Sequence, residues 1–264
     1  MSDRVGVITG TGLYELEALD RRRVERVETP YGSVRVFTGR LAGAKVAHVP
    51  RHGPGHARLS HQLDARATIL ALREVGVRCV VATTVCGAVS DELEPGNVVV
   101  FDDLHFPSNR LPSGELCTLF CEGYARPGHW IFDLPYSESV RRAVIAGADI
   151  AGLDPWDGGT YGHVDGPRLN SRSEIAALTD LGVSAISQTG GPETVLAGEA
   201  RLPLALVGYV VDRANGVGTQ TPPHSIARHL ESSKEVLQSM LVASLPGLAA
   251  ERHEPPGTVF GFDG

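Results

Sequence analysis

One Arg-His pair, three glycine-flanked threonines and one isolated acid are the residues of this chain best equipped for chemistry. Arg51-His52 follows an apolar run, Thr11 lies in Gly10-Thr-Gly12, Thr84 in Thr83-Thr-Val-Cys-Gly87, and Thr189 in Thr189-Gly-Gly-Pro-Glu193. A guanidinium clamps an oxyanion through parallel N–H groups, and His52 adds a donor beside it. Glycine turns expose backbone amides, which also bind anions, and a helix opening at such a turn adds its dipole. Asp212 ends the apolar run 204–211. Pocketed and partly desolvated, a carboxyl there is raised in pKa and can hand on a proton near neutral pH. The set therefore suits an inorganic anion held beside a proton donor. Taken singly, each motif reads equally well as a tight turn or a solvated strand end, and Asp212 as a salt-bridge partner of Arg213.

The glycine turn at residue 10 invites a dinucleotide reading. That fingerprint needs a third glycine where Glu15 stands, so it fails. The spacing His52, His56, His61 offers imidazoles for a metal, but only Asp64 stands near as a further ligand. Cys117 and Cys121, with His129, make an equally poor zinc set. No metal is expected.

These residues must be positioned by strands and helices in alternation. Strand-like runs cover residues 4–9, 33–38, 45–49, 78–84, 97–101, 185–189 and 204–211, several of them continuously apolar as in sheets covered on both faces. Helical spacing marks 62–75, 137–148, 171–181, 193–200 and 224–244. Ser171 with Glu174 has the form of a capping box, and Gly76 is placed to stop the first helix. The order predicts an α/β fold: a single domain over 1–252 with a central mixed, largely parallel twisted sheet flanked by helices. Residues 107–128 are rich in Pro, Gly, Ser and Cys and long for a connector, which suggests a functional loop or subunit contact. Residues 253–264 read as a mobile tail.

Composition sets outer limits. The chain has 264 residues, 42% hydrophobic and 21% charged, enough for a sizeable core in one large domain or two small ones. A net charge of −7 disfavours a nucleic-acid surface but not a local anion pocket. No apolar run approaches the roughly 20 residues that cross a bilayer, and Met1 to Arg4 leads straight into the first strand with no signal-like segment. A reduced, cytoplasmic protein is expected.

Together the motifs resemble the trimeric purine nucleoside phosphorylases, in particular the methylthioadenosine phosphorylase branch. The likeness runs from Val5 to about Gly216. It rests on Gly10-Thr-Gly-Leu13, Arg51-His-Gly53, His56, Thr84-Val-Cys-Gly87, Glu94-Pro-Gly96, Gly159-Thr-Tyr161, Asp165-Gly-Pro-Arg168, Pro192-Glu-Thr-Val-Leu-Ala197 and Val211-Asp212, in that order. The resemblance implies phosphorolysis: phosphate attacks the anomeric carbon of a purine nucleoside through an oxocarbenium-like state as the bond to N9 breaks. It puts phosphate on Thr11, Arg51, His52, Thr84 and Thr189. The nucleoside falls on Val85, Cys86, Gly87, Asp165, Leu169, Gln188 and Asp212, and His129 is lent to a neighbouring subunit. Asp212 becomes the catalytic group at purine N7. Inorganic phosphate is the co-substrate, no cofactor is needed, and a homotrimer or dimer of trimers follows.

The resemblance also speaks to the base. Asp where 6-oxopurine enzymes carry Asn implies a 6-aminopurine nucleoside with a modified 5′-position, such as 5′-methylthioadenosine. The alternative is a 6-oxopurine substrate, inosine or methylthioinosine; a catalytically silent nucleoside binder is the reading from another class. Departures from the pattern are Ala214 in place of a second Asp, Leu169 for Phe, Gln188 for Met, Asp165 for Glu or Gln, and Ser60-His-Gln-Leu-Asp64. Val210-Val-Asp-Arg-Ala-Asn215 also resembles the methylthioinosine variant apart from Asp212.

Overall fold

The computed structural model describes residues 3–16, 18–121 and 127–261. In chain order its strands are β1 (Arg4–Thr9), β2 (Asp20–Thr29), β3 (Gly32–Leu41), β4 (Ala44–Pro50), β5 (Val77–Ala88), β6 (Val98–Val100), β7 (Asp103–His105), β8 (His129–Ile131), β9 (Trp156–Asp157), β10 (Thr160–His163), β11 (Val183–Ser187), β12 (Leu204–Arg213) and β13 (Thr258–Phe260). The helices are α1 (Ala65–Glu74), α2 (Glu138–Ile150), α3 (Arg172–Asp180), α4 (Gly190–Glu199) and α5 (Pro223–Ala250).

The mixed sheet expected from the sequence is present. The order β2-β3-β4-β1-β5-β11-β10-β7 forms its main path, with β12 paired to β5 and to β6. β1 runs parallel to β4 and β5, and β12 parallel to β5, whereas β11 meets β5 antiparallel. Successive side chains on the central strands point to opposite faces. Val5, Val7, Val81 and Val207 pack on one side with Leu237, Met240, Leu241 and Leu245 of α5. Ile8, Val80, Ala82 and Leu206 pack on the other with Ile69 and Leu72 of α1 and Leu196 of α4. Each fully buried aliphatic side chain contributes about 1.5–3 kcal/mol, so this sandwich fixes the sheet that carries the site.

β5 changes partners along its length. Its first half, through Ala82, pairs with β1; Gly87 and Ala88 pair with β11. β1 pairs no further than Ala82 and β11 arrives only at Gly87, so Thr83 to Cys86 lack a strand neighbour on that side. A gap at such a switch point is where open α/β sheets bind ligands. Opposite, β12 carries a bulge: Val210 pairs with Cys86, but Asp212, two residues on, pairs with the next residue, Gly87. The extra residue re-aims the strand end that bears Asp212.

Two sequence expectations need correction. β2, β10 and the short strands β7, β8, β9 and β13 were not anticipated. β2 is a mostly exposed, Arg-rich strand without an apolar face, and β10 is four residues long with a glycine inside. The segment from His253 is tied down rather than loose: His253 is buried, Ser137 Oγ donates to Glu254 O at 2.7 Å, Trp130 Nε1 donates to Pro256 O at 3.1 Å, and β13 pairs with β8. Residues 262–264 lie outside the described residues. The long 107–128 segment is anchored on α4, where Glu199 accepts from Thr118 Oγ1 at 2.9 Å and Leu119 N at 2.5 Å; its residues 122–126 also lie outside the described residues. Ser171 and Glu174 form the expected capping box.

Candidate active site

A cavity of about 390 Å³ opens at the β5 gap, within the roughly 300–1,000 Å³ of small-molecule sites. It gathers Thr11, His52, Thr84, Val85, Cys86, Gly87, Leu169, Gln188, Thr189 and Asp212, residues spread over 200 positions of sequence that the resemblance had assigned to phosphate or nucleoside. Three of the assigned residues, Arg51, Asp165 and His129, stay outside it. Asp165 is exposed, although its loop neighbours Val164 and Pro167 line the wall; His129 lies at the surface in β8, paired with Phe260.

Arg51 is placed differently from expectation. It follows β4, and its backbone N–H donates to Thr9 O at 2.9 Å, which brings it beside the Gly10 turn. Its side chain lies behind the main cavity, against a smaller one of about 30 Å³ that shares Ser60, Gln188 and Thr189 with it. Nε and Nη2 donate to the two Glu193 carboxylate oxygens, both at 2.7 Å, and Nη1 donates to Thr83 O at 2.6 Å. Three of five guanidinium N–H groups are thus committed, and two remain for an anion. Gly10 is required here by space: a Cβ on it would collide with Arg51 Nη1. Glu193 sits in the first turn of α4 and was not read as a site residue; only the fold brings it to Arg51.

The three threonines come from three different elements: β5, which continues past Thr84 to Ala88 instead of stopping there, the turn after β1, and the start of α4. Thr11 lies in the turn after β1. Thr84 Oγ1 is 2.9 Å from Ser187 Oγ, which links the unpaired stretch of β5 to the end of β11 at the cavity wall. Thr189 is the residue before α4, and its Oγ1 is buried without a hydrogen-bond partner. A buried hydroxyl left unpaired costs about 1–3 kcal/mol, so an acceptor at this spot is favoured. The first amide of α4, Gly190 N–H, donates to Tyr161 OH at 3.0 Å.

His52 departs from its expected role as a donor. Burial, followed by the neighbouring Arg51 charge, pushes the ring down to about 4, so it is neutral at pH 7. Its Nδ1–H donates to Arg58 O at 2.9 Å, which leaves Nε2 as an acceptor. His56 stacks on His52 with ring centroids 4.1 Å apart and is held at 3.0 Å by Tyr14 OH.

At the other end of the cavity Asp212 is set among Cys86, Gly87, Ile175, Ile186 and Ala214. A Cβ at Gly87 would lie 3.1 Å from Asp212 Oδ1, so glycine leaves the carboxyl room. Burial pushes Asp212 up to about 6. The salt bridge to Arg213 does not form: Arg213 turns to Glu94 and to Asp91, the latter at 3.7 Å. His56, Ser60, Ser187 and Asn215 also line the cavity and were not assigned to it. His56 stood in a matching motif, Ser60 and Asn215 in stretches noted only as departures or variants of the pattern, and Ser187 has no local signal that marks it.

The sequence profile of the phosphorylase superfamily matches residues 4–245. The chain belongs to this superfamily. A 6-oxopurine nucleoside phosphorylase of Pyrococcus furiosus is 32% identical over 257 residues, covering 94% of each chain. An S-methyl-5′-thioadenosine phosphorylase of Thermofilum pendens is 31% identical over 251 residues, again 94% of each. Among solved structures, a methylthioadenosine phosphorylase from an Antarctic soil metagenomic library superposes with a TM-score of 0.84 at 26% identity, covering 95% of this chain and 88% of that one. This member of the superfamily is accordingly a pentosyl-transferring enzyme, and its relatives divide over the purine they use. The same relatedness corrects nothing in the site but leaves the choice of base to the residues around Asp212.

Proposed function

We propose that this phosphorylase cleaves a 5′-modified 6-aminopurine nucleoside, of the kind exemplified by 5′-methylthioadenosine, to free purine and sugar 1-phosphate. One observation carries the reading: a desolvated carboxyl, Asp212, shares a nucleoside-sized cavity with three threonines and a histidine, and one of those threonines, Thr189, also lines the smaller cavity of the Arg51–Glu193 pair. Phosphate is held by the hydroxyls of Thr11, Thr84 and Thr189 and by the two uncommitted N–H groups of Arg51. The P–OH of a monoprotonated or diprotonated phosphate donates to His52 Nε2. Asp212, protonated in part because burial raises it to about 6, donates to purine N7 and makes the base a better leaving group. The phosphate oxygens stabilise the cationic sugar and then bond to its anomeric carbon, so positioning and electrostatics supply the rate. Val85, Cys86, Gly87, Leu169 and Gln188 enclose the nucleoside, and Asp165 acts from the rim loop. Each assembly is a homotrimer or dimer of trimers in which His129, at the surface away from its own cavity, completes a site across a subunit boundary. The reaction needs no cofactor, and the enzyme works in the cytoplasm; no helix among the described residues is long and apolar enough to cross a membrane.

A panel of adenosine, inosine and their 5′-methylthio analogues, assayed with and without phosphate, tests this. The expected result is phosphate-dependent release, fastest for 5′-methylthioadenosine. Release without phosphate would mean hydrolysis; faster release from the 6-oxo nucleosides would give the substrate class of the Pyrococcus relative; no release at all would leave a silent nucleoside binder.

A further inference from the structure

Ala214 and Asn215 follow Asp212 by two and three residues, and both line the same cavity. Ala214 packs with Ile175, Val183 and Val217, with Ile186 against them, so the wall at this end is apolar. Against it, the two polar side chains that β12 and its exit turn contribute to the cavity are Asp212 and Asn215. Asn215 Nδ2 donates to Asn170 O at 2.7 Å. Because a backbone carbonyl only accepts, that contact fixes which end of the amide is nitrogen. Asn215 Oδ1 accepts no hydrogen bond among the described residues, so an acceptor is left over in an apolar recess.

We infer that Asn215 is a specificity-determining residue that reads the exocyclic 6-substituent of the purine through Oδ1. The inference rests on the nucleoside site proposed above. A 6-amino group donates to Oδ1. A 6-oxo group sets one carbonyl oxygen against another, and both are left unpaired on leaving water, a mismatch that a site built to hydrogen-bond discriminates strongly. Asn170 O holds the amide in this orientation, and Asn170 directly precedes Ser171, the cap of α3. The recognition is therefore built from the exit turn of β12 and the entry to α3.

The test compares wild type with Asn215→Leu on adenosine, inosine and the purine ribonucleoside that carries only hydrogen at position 6, with phosphate saturating. The expected result is a loss of kcat/KM of at least roughly ten-fold on adenosine, with the 6-unsubstituted nucleoside changed by less than about two-fold and inosine unchanged or improved. Equal losses on all three would overturn the inference and assign Asn215 a purely structural role through Asn170. Should Asn215→Leu melt below the assay temperature, the same ratios read on Asn215→Ala decide. Wild-type protein that releases no base from any of the three overturns the phosphorylase reading itself, and this inference with it; wild-type protein that releases all three while the variant keeps their ratios overturns only the role of Asn215.

Discussion

Arg51 and Glu193, 142 positions apart, meet as a two-pronged ion pair with both contacts at 2.7 Å and both side chains almost wholly out of water. Removing one partner of such a pair strands the other charge, at a cost of about 3–5 kcal/mol. Glu193→Ala is therefore expected to lower the unfolding free energy by that order and to raise the KM for phosphate, because Arg51 loses the carboxylate that aims it. Denaturant melts and phosphate titrations at saturating nucleoside measure the two effects. An unchanged melt would show that Arg51 is not dependent on Glu193.

Arg51→Lys separates geometry from charge. An ammonium keeps the charge but cannot hold two carboxylate oxygens and Thr83 O in a plane. The KM for phosphate is expected to rise by roughly ten-fold or more, about 1.4 kcal/mol, with the nucleoside KM changed far less. Equal changes in both would remove Arg51 from the anion site.

Gly10→Ala acts on the same guanidinium from the other side, since the added Cβ collides with Arg51 Nη1. The arginine is held by Thr83 O and Glu193, so it has little freedom to move aside. The expected outcome is a raised phosphate KM together with a lower melting temperature. A variant with wild-type phosphate affinity would show that the Gly10 turn is free to yield.

Asp212→Asn addresses the base and the pH profile together. It is expected to shift the ratio of kcat/KM values toward 6-oxopurines, because the amide accepts from N7–H and donates to a 6-oxo group. In wild type the donor is the protonated carboxyl, so kcat is expected to fall as pH rises above about 6, the value to which burial pushes Asp212. The variant should lack that limb. The sign for stability follows from the same shift: folding favours the protonated form, so the contribution of Asp212 is present at low pH and lost as pH rises through about 6. Asp212→Asn is thus expected to melt higher than wild type at pH 8; a lower melt would contradict burial of the charge.

Three buried histidines act in the opposite sense. Burial pushes His48 and His163 down to about 3, and His52 to about 4. Their stabilising contribution is complete above the unfolded value near 6.5 and is lost as pH falls toward those folded values. Each removes about 1.4 kcal/mol per pH unit below roughly pH 6, while Asp212 returns a similar amount over part of that range. Denaturant midpoints at pH 7 and pH 5 should show the protein markedly weaker at pH 5.

Much of the sheet and half of the site could be read directly, and the reason is local. Thr11, Thr84 and Asp212 stand at or near the ends of apolar runs, and the glycines at 10, 12 and 87 draw attention to the first two, although the chain turns only at the first pair and β5 runs on through Gly87. Glu193 was invisible as a site residue because its significance lies in a contact across 142 positions. Asn215 was invisible because a loop carbonyl, not a motif, orients it. β2 was missed because Arg21 to Arg23 and Glu25 give an edge strand no apolar alternation. The 253–260 segment looked loose because its Pro and Gly content hides the role of Trp130, whose indole packs over Gly198 and whose Nε1 donates to Pro256 O.

The Arg51–Glu193 pair bears on how an anion arrives. The positive group carries its own counter-ion into the fold, so the pair casts little long-range field, and the protein as a whole is net negative. Phosphate capture then depends on short-range fit once the ion has diffused in, and its association rate should respond only weakly to ionic strength.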